Sequence, residues 1–193
     1  MSELKQAYVN GEPISREAVQ FELDRLMKFY LEHGMTKEEI KENLPKLAER
    51  AQEQAIGAKL LLMRADELDI PVDDRELDAE VEKVVRQLGG REEFARALAR
   101  QKMGEDDLRA QLRKGCRVNA LVAQACRGVP EPTEMDVADF YAAHQAEFVA
   151  EDGPQTLVDV AQQIRDLLRH QARGRAMDAF VAELRERATV EYR

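Results

Sequence analysis

The stretch Ala55-Ile56-Gly57-Ala58-Lys59-Leu60-Leu61-Leu62-Met63 constrains the fold more than any other part of the chain. It carries a single charged residue and sits inside a helical pattern running from about Leu44 to Leu68. A helix that is apolar almost all round has no face to give to water, so it belongs at the centre of a domain with other elements laid around it. The remainder of the 193 residues can supply that cover: 44% are apolar and 35% charged, a mixture that folds and buries a sizeable core.

Tyr8-Val9 leads into the turn signal Asn10-Gly11, and Ser15, beyond Ile14, can cap a first helix over about 15–33. On that helix Val19, Leu23, Leu26, Met27 and Tyr30 share one face. Phe21, Phe29 and Leu31 do not; either they pack under other elements or they are left for a partner. Thr36 with Glu39 makes a capping box for the second helix, and Pro45 implies a short piece before the long Leu44–Leu68 helix. Ile70-Pro71 ends it. Asp73 with Glu76 opens a third helix, striped by Leu77, Val81, Val84, Val85 and Leu88 and stopped at Gly89-Gly90. A fourth carries Phe94, Ala97 and Leu98, and a fifth runs from Met103-Gly104 through Leu108, Leu112, Val118, Leu121 and Val122 to about Arg127. After the stiff connector Val129-Pro130-Glu131-Pro132, Thr133 with Asp136 starts a sixth helix ending near Phe148, and Ala150-Glu151-Asp152-Gly153-Pro154 is a second break.

From Thr156 to about Ala188 the pattern is helical again, but its apolar stripe changes sides. Leu157, Ala161, Ile164 and Leu168 lie nearly opposite Met177, Val181, Leu184 and Ala188. A heptad drift of about 20° is too small to do this. The pattern predicts a kink or break near Gly174, or one continuous helix whose halves pack on different bodies. Thr189-Val190-Glu191-Tyr192 is a β-like tail able to pair with Tyr8-Val9, so the expected class is all-α, mainly helical, with a short two-stranded β pairing of the chain ends.

Charge and residue usage exclude several functions. A net charge of −9 repels phosphate backbones, so nucleic acid is not an expected partner. No segment approaches the roughly 20 apolar residues of a membrane span, and the first nine residues hold no leader-like run. The expected compartment is the cytoplasm, or the periplasm if a leader has been cleaved. Cys116 and Cys126, ten apart on what reads as one helix, lie about 15 Å from each other, too far for a disulfide. His33, His144 and His170 have no second His or Cys at metal-ligand spacing, and the only serines, Ser2 and Ser15, lie in the N-terminal arm and at a helix cap. The acidic pairs 38–39, 73–74, 92–93 and 106–107 fall in first helical turns, where they complement the macrodipole. No metal site, no cofactor and no enzyme activity follow from these residues.

Val9-Asn10-Gly11-Glu12-Pro13-Ile14-Ser15, the long helix leading to Leu68-Asp69-Ile70-Pro71-Val72-Asp73-Asp74-Arg75-Glu76-Leu77-Asp78, Gly-Arg-Glu-Glu-Phe at 90–94, and Pro132-Thr133-Glu134 followed by Phe140-Tyr141 and Phe148 resemble the SurA-like chaperones of the parvulin group. The resemblance covers nearly the whole chain, in order and spacing; Asp69 stands where the family often has Gly. It implies an N-terminal helical chaperone region over 1–148 and a C-terminal helix and strand over 155–193 completing the same module. The family's isomerase domain, usually placed after the position of Phe148, has no counterpart in the seven residues before Thr156, so no catalytic residue carries over. Arg117-Val118-Asn119-Ala120-Leu121 through Cys126 to Val129-Pro130, with the Phe140-Tyr141 helix, also resemble the nitrogenase maturation protein of that group.

What the resemblance implies is a non-catalytic holdase or folding factor that takes up unfolded or nascent clients, with Phe21, Met27, Phe29 and Met63 as candidate client-binding residues. The alternative is a helical adaptor for one dedicated partner, or a homodimer that exchanges its C-terminal helix across the short 149–155 connector.

Overall fold

The computed structural model describes residues 4–150 and 153–193; Ser2 of the N-terminal arm and Glu151-Asp152 of the expected second break lie outside them. In chain order the elements are β1 (Ala7–Val9), β2 (Glu12–Pro13), α1 (Arg16–Glu32), α2 (Lys37–Glu67), α3 (Asp74–Gln87), α4 (Arg91–Arg100) and α5 (Glu105–Ala125). There follow α6 (Glu134–His144), a 3-10 turn (Gln145–Glu147), β3 (Val149–Ala150), β4 (Gly153–Pro154), α7 (Leu157–Glu186) and β5 (Val190–Tyr192). Two compact units divide the chain: Met1–Leu121 with Val181–Arg193, and Val122–Phe180.

In the first unit α1 packs along α2. Ser15 Oγ accepts the Ala18 N–H at 3.1 Å to start α1, and Thr36 and Glu39 form the expected reciprocal box to start α2, each side chain accepting the other residue's N–H. Pro45 does not divide the second helix: α2 is unbroken from Lys37 to Glu67. The ring costs one intrahelical bond, yet Lys41 and Pro45 are both solvent-exposed, so the carbonyl freed at Lys41 lies on the side of the helix open to solvent. Ile40 and Leu47, two turns apart and both buried, hold the helix together across it.

Ala51, Ala55, Ile56 and Leu60 continue the buried face of α2, and Ala7 and Val9 of β1, which packs on α2, are fully buried. Gln52 Nε2 reaches the Lys5 carbonyl at 2.6 Å, satisfying a buried amide. Glu22, the other buried polar residue, stands 2.8 Å from the Arg25 guanidinium as an ion pair that lacks hydrogen-bond geometry. Gly57 lets the end of α7 come close, since a Cβ there would lie 3.4 Å from Val181 Cγ1.

The chain ends pair as expected. β5 runs antiparallel to β1 with Ala7 opposite Tyr192 and Val9 opposite Val190. Gln6 and Arg193 exchange backbone bonds of 2.9 Å, while Asn10 accepts the Thr189 N–H through Oδ1 at 2.8 Å. A third strand is added, because β2 folds back on β1 across Asn10-Gly11, whose φ values of 51° and 83° suit a two-residue hairpin loop. The Tyr192 hydroxyl and Arg185 both donate to the Glu53 carboxylate at 2.5 Å, tying β5 and the end of α7 to α2.

α3 starts at Asp73, whose carboxylate caps the Arg75 N–H at 2.9 Å and not through a reciprocal pair with Glu76. Val81 and Val85 pack with Phe94 of α4 and with Leu108 and Leu112 of α5. Arg109, Arg113 and Arg117, four apart on α5, pair with Asp78, with Asp74, and with Asp66 and Asp69. Asp69 has φ of 43°, the left-handed turn that suits Gly best. Cys116 and Cys126 are free, and Cys126 closes the last turn of α5, its N–H donating to the Val122 carbonyl at 3.0 Å.

In the second unit a Thr133–Asp136 capping box opens α6, which ends at His144 and continues as the 3-10 turn towards Phe148. Val137 packs with Val160 and Ile164 of α7, flanked by Phe140, Tyr141 and Phe148. The expected break is a hairpin, with Val149 opposite Pro154; the Gln155 N–H donates to the Phe148 carbonyl and the Tyr141 hydroxyl to the Gln155 carbonyl. Arg165 and Arg169 pair with Glu134 and Glu131 at 2.6 Å, fixing the proline-rich connector. α7 passes through Gly174 without a break, and the stripe changes sides because Val181 and Leu184 belong to the first unit whereas Val160 and Ile164 belong to the second.

Ile56 has no exposed surface, so Ile56→Ala is expected to cost about 2–5 kcal/mol, read as a lower urea midpoint at unchanged slope. Burial would raise the Glu53 carboxyl, but the Arg185 and Tyr192 hydrogen bonds and the Arg185 charge outweigh it, so it titrates below the ordinary 4.5. A carboxyl depressed in the folded state contributes stability above its unfolded-state value and loses it as pH falls through the folded one. The melting temperature should therefore drop below pH 4.5, and Glu53→Gln should lower the plateau while flattening that acid limb.

Candidate apolar binding surface

On α1 the apolar stripe faces α2, where Leu26 is buried and Val19, Leu23, Met27 and Tyr30 are half-buried. At 100° per residue Phe21 falls opposite this stripe and Phe29 at its flank, and the structure leaves them 67% and 50% exposed, with Leu31 exposed as well. Of the two alternatives the sequence left open for these residues, the second holds among the described residues, none of which covers them. Leaving one phenylalanine in water forgoes about 1.5–3 kcal/mol of burial.

Phe29 is held in place. Its ring stacks on His33 at 4.0 Å and meets Tyr30 edge-on at 5.4 Å, while His33 Nδ1 lies 2.7 Å from the Phe29 carbonyl at the helix end. Arg50 donates to the Tyr30 hydroxyl at 2.7 Å, fixing the neighbouring ring. The same i, i+4 pair closes α6, where Phe140 stacks on His144 at 4.1 Å, but there Phe140 is packed against Phe148.

Phe21 stands on an open face of α1 among Arg16, Glu17, Gln20 and Asp24. Gln20 donates to Asp24 at 2.7 Å. The backbone N–H at Glu17, with Ser15, holds the Glu17 carboxyl below its usual value. Neither Glu17 nor Asp24 forms an ion pair among the described residues, and the same holds for Glu38, Glu39, Glu42 and Glu49 of α2.

The four sequence candidates are therefore not gathered at one site. Phe21 and Phe29 share the outward side of α1, Met27 belongs to the side facing α2, and Met63 lines a separate pocket of about 70 Å³ with Leu60, Leu184 and Ala188 beneath Arg64 and Arg187. Glu17 and Asp24 escaped the sequence reading, although their spacing of i−4 and i+3 from an off-stripe phenylalanine was the signal. Met135 and Val158 of the second unit, also off their helices' stripes, are exposed too.

Burial, with Glu76 and Glu80 nearby, pushes the Cys116 thiol up and away from reactivity. Among the described residues no group of three or more His, Cys, Asp or Glu is placed to hold a metal ion, and no helix is long and apolar enough to cross a membrane.

Comparison with known proteins agrees with the sequence resemblance. No curated protein matches the chain. A solved structure from the work on PEB4, a virulence factor, and Cj1289, a periplasmic protein, described as two structurally related SurA-like chaperones of Campylobacter jejuni, superposes with a TM-score of 0.58. It is 12% identical and the alignment covers 99% of this chain and 100% of that one, which establishes a shared fold. The family model described as the SurA-like N-terminal domain matches residues 2–122, well over half of the sequence, and the chain belongs to that family.

Proposed function

We propose that this protein is a holdase: a non-catalytic chaperone that takes up unfolded or extended apolar segments on the outward side of α1. Family membership supports a chaperone-type role. The observation that carries the finer reading is the exposure of Phe21 and Phe29 on a helix whose other side is already packed. Two rings offered without a deep pocket suit clients with apolar side chains in no fixed sequence, because burial is non-directional and scales with area. The fixed stacking of Phe29 on His33 lowers the entropy lost when a client closes over it.

The pairing of β1 with β5 and the packing of Val181 against Gly57 support reading the N-terminal region and the returning C-terminal segment as one chaperone module. Its partners on this reading are unfolded or nascent chains, met one segment at a time.

The test is aggregation of an unfolded client, followed by light scattering with the full chain at near-stoichiometric ratio. Suppression is expected, and the double variant Phe21→Ser with Phe29→Ser should lose most of it while keeping its helical circular dichroism, since both positions are exposed. Full suppression by that variant would remove α1 from the reading; no suppression by the parent chain would remove the holdase itself.

A further inference from the structure

Glu17, Phe21 and Asp24 form a combination that the general capture of apolar segments does not call for. A largely exposed ring is flanked one turn to either side by carboxylates, and neither carboxylate forms an ion pair among the described residues. They lie together on one open face of α1, where a side chain from another molecule can reach the ring and both carboxylates. We propose that this face of α1 takes a lysine or arginine side chain from the client, its aliphatic stem against the Phe21 ring and its charge shared by Glu17 and Asp24. This deepens the holdase reading and rests on it: the preferred client segment is apolar and cationic together.

Three physical arguments point to that occupant. A cation near an aromatic ring is attracted by the ring quadrupole, and the attraction grows once client and helix exclude water. Lysine and arginine bury their methylene stems on apolar surface while keeping their charge at the rim, which is the layout of a ring bordered by carboxylates. The net charge of −9 favours encounter with cationic segments and disfavours acidic ones. Arg16 shares that face, yet two carboxylates against one guanidinium leave it negative.

The experiment uses the full chain and three labelled unstructured peptides with the same apolar residues, differing only in flanking positions that are lysine, acetyl-lysine or glutamate. Fluorescence anisotropy should rank them lysine, then acetyl-lysine, then glutamate, with roughly tenfold between first and last at low salt and less at high salt. In Asp24→Asn and in the Glu17→Gln, Asp24→Asn double variant the ranking should collapse while the acetyl-lysine peptide keeps its affinity; Asp24→Asn leaves the first turn of α1 untouched and guards against fraying. Equal affinities for the three peptides, or a lysine preference that survives in both variants, would overturn this inference and leave the holdase reading standing. Failure of all three peptides to bind the parent chain would overturn both.

Discussion

Thirty-one residues of α2 need cover along their apolar face, and much of the first unit can be understood as the means of providing it. α1 lies along the helix, β1 inserts Ala7 and Val9, and Val181 approaches at Gly57. Hydrophobic burial is non-directional and cannot alone say which segment covers which turn. The directional bonds do: Gln52 to Lys5, Glu53 to Arg185 and Tyr192, and the exchange between Gln6 and Arg193 fix the strands and the end of α7 in register on it.

That arrangement explains why α1 can leave rings exposed. A helix with one side committed to α2 is anchored whatever its other side carries, so the outward residues are free of folding duty. The stability forgone at Phe21 and Phe29 is offset by the fully buried side chains Ile56, Leu77 and Val81 elsewhere in the unit. A surface built this way is pre-formed: the helix does not have to order itself on meeting a client, and Phe29 is already oriented by Tyr30 and His33. On the proposed reading, charge would add selectivity to a contact that apolar area leaves general.

Much of this was legible in the sequence because it depends on local chemistry. The Thr36–Glu39 and Thr133–Asp136 boxes, the Asn10-Gly11 turn and the glycine stop at 89–90 are short-range rules, and the structure follows each. The pairing of the two ends was legible because only two β-like stretches lay far apart in an otherwise helical chain. Pro45 was misread because the cost of a proline depends on whether the freed carbonyl meets water, and exposure is not local information. The β3–β4 hairpin is too short to show an alternating pattern. The exposure of Phe21 could be framed only as one of two alternatives, since periodicity tells which side of a helix a residue occupies and not whether another element lies over that side.

Site-specific photocrosslinking to an unfolded client tests the central claim most directly, with a benzophenone amino acid placed in turn at Phe21, at Phe29 and at the exposed Glu38 on α2. The account predicts efficient crosslinks from positions 21 and 29 and little from 38, competed away by unlabelled apolar, lysine-bearing peptide. Equal yields from all three positions, or crosslinks from 38 alone, would contradict it.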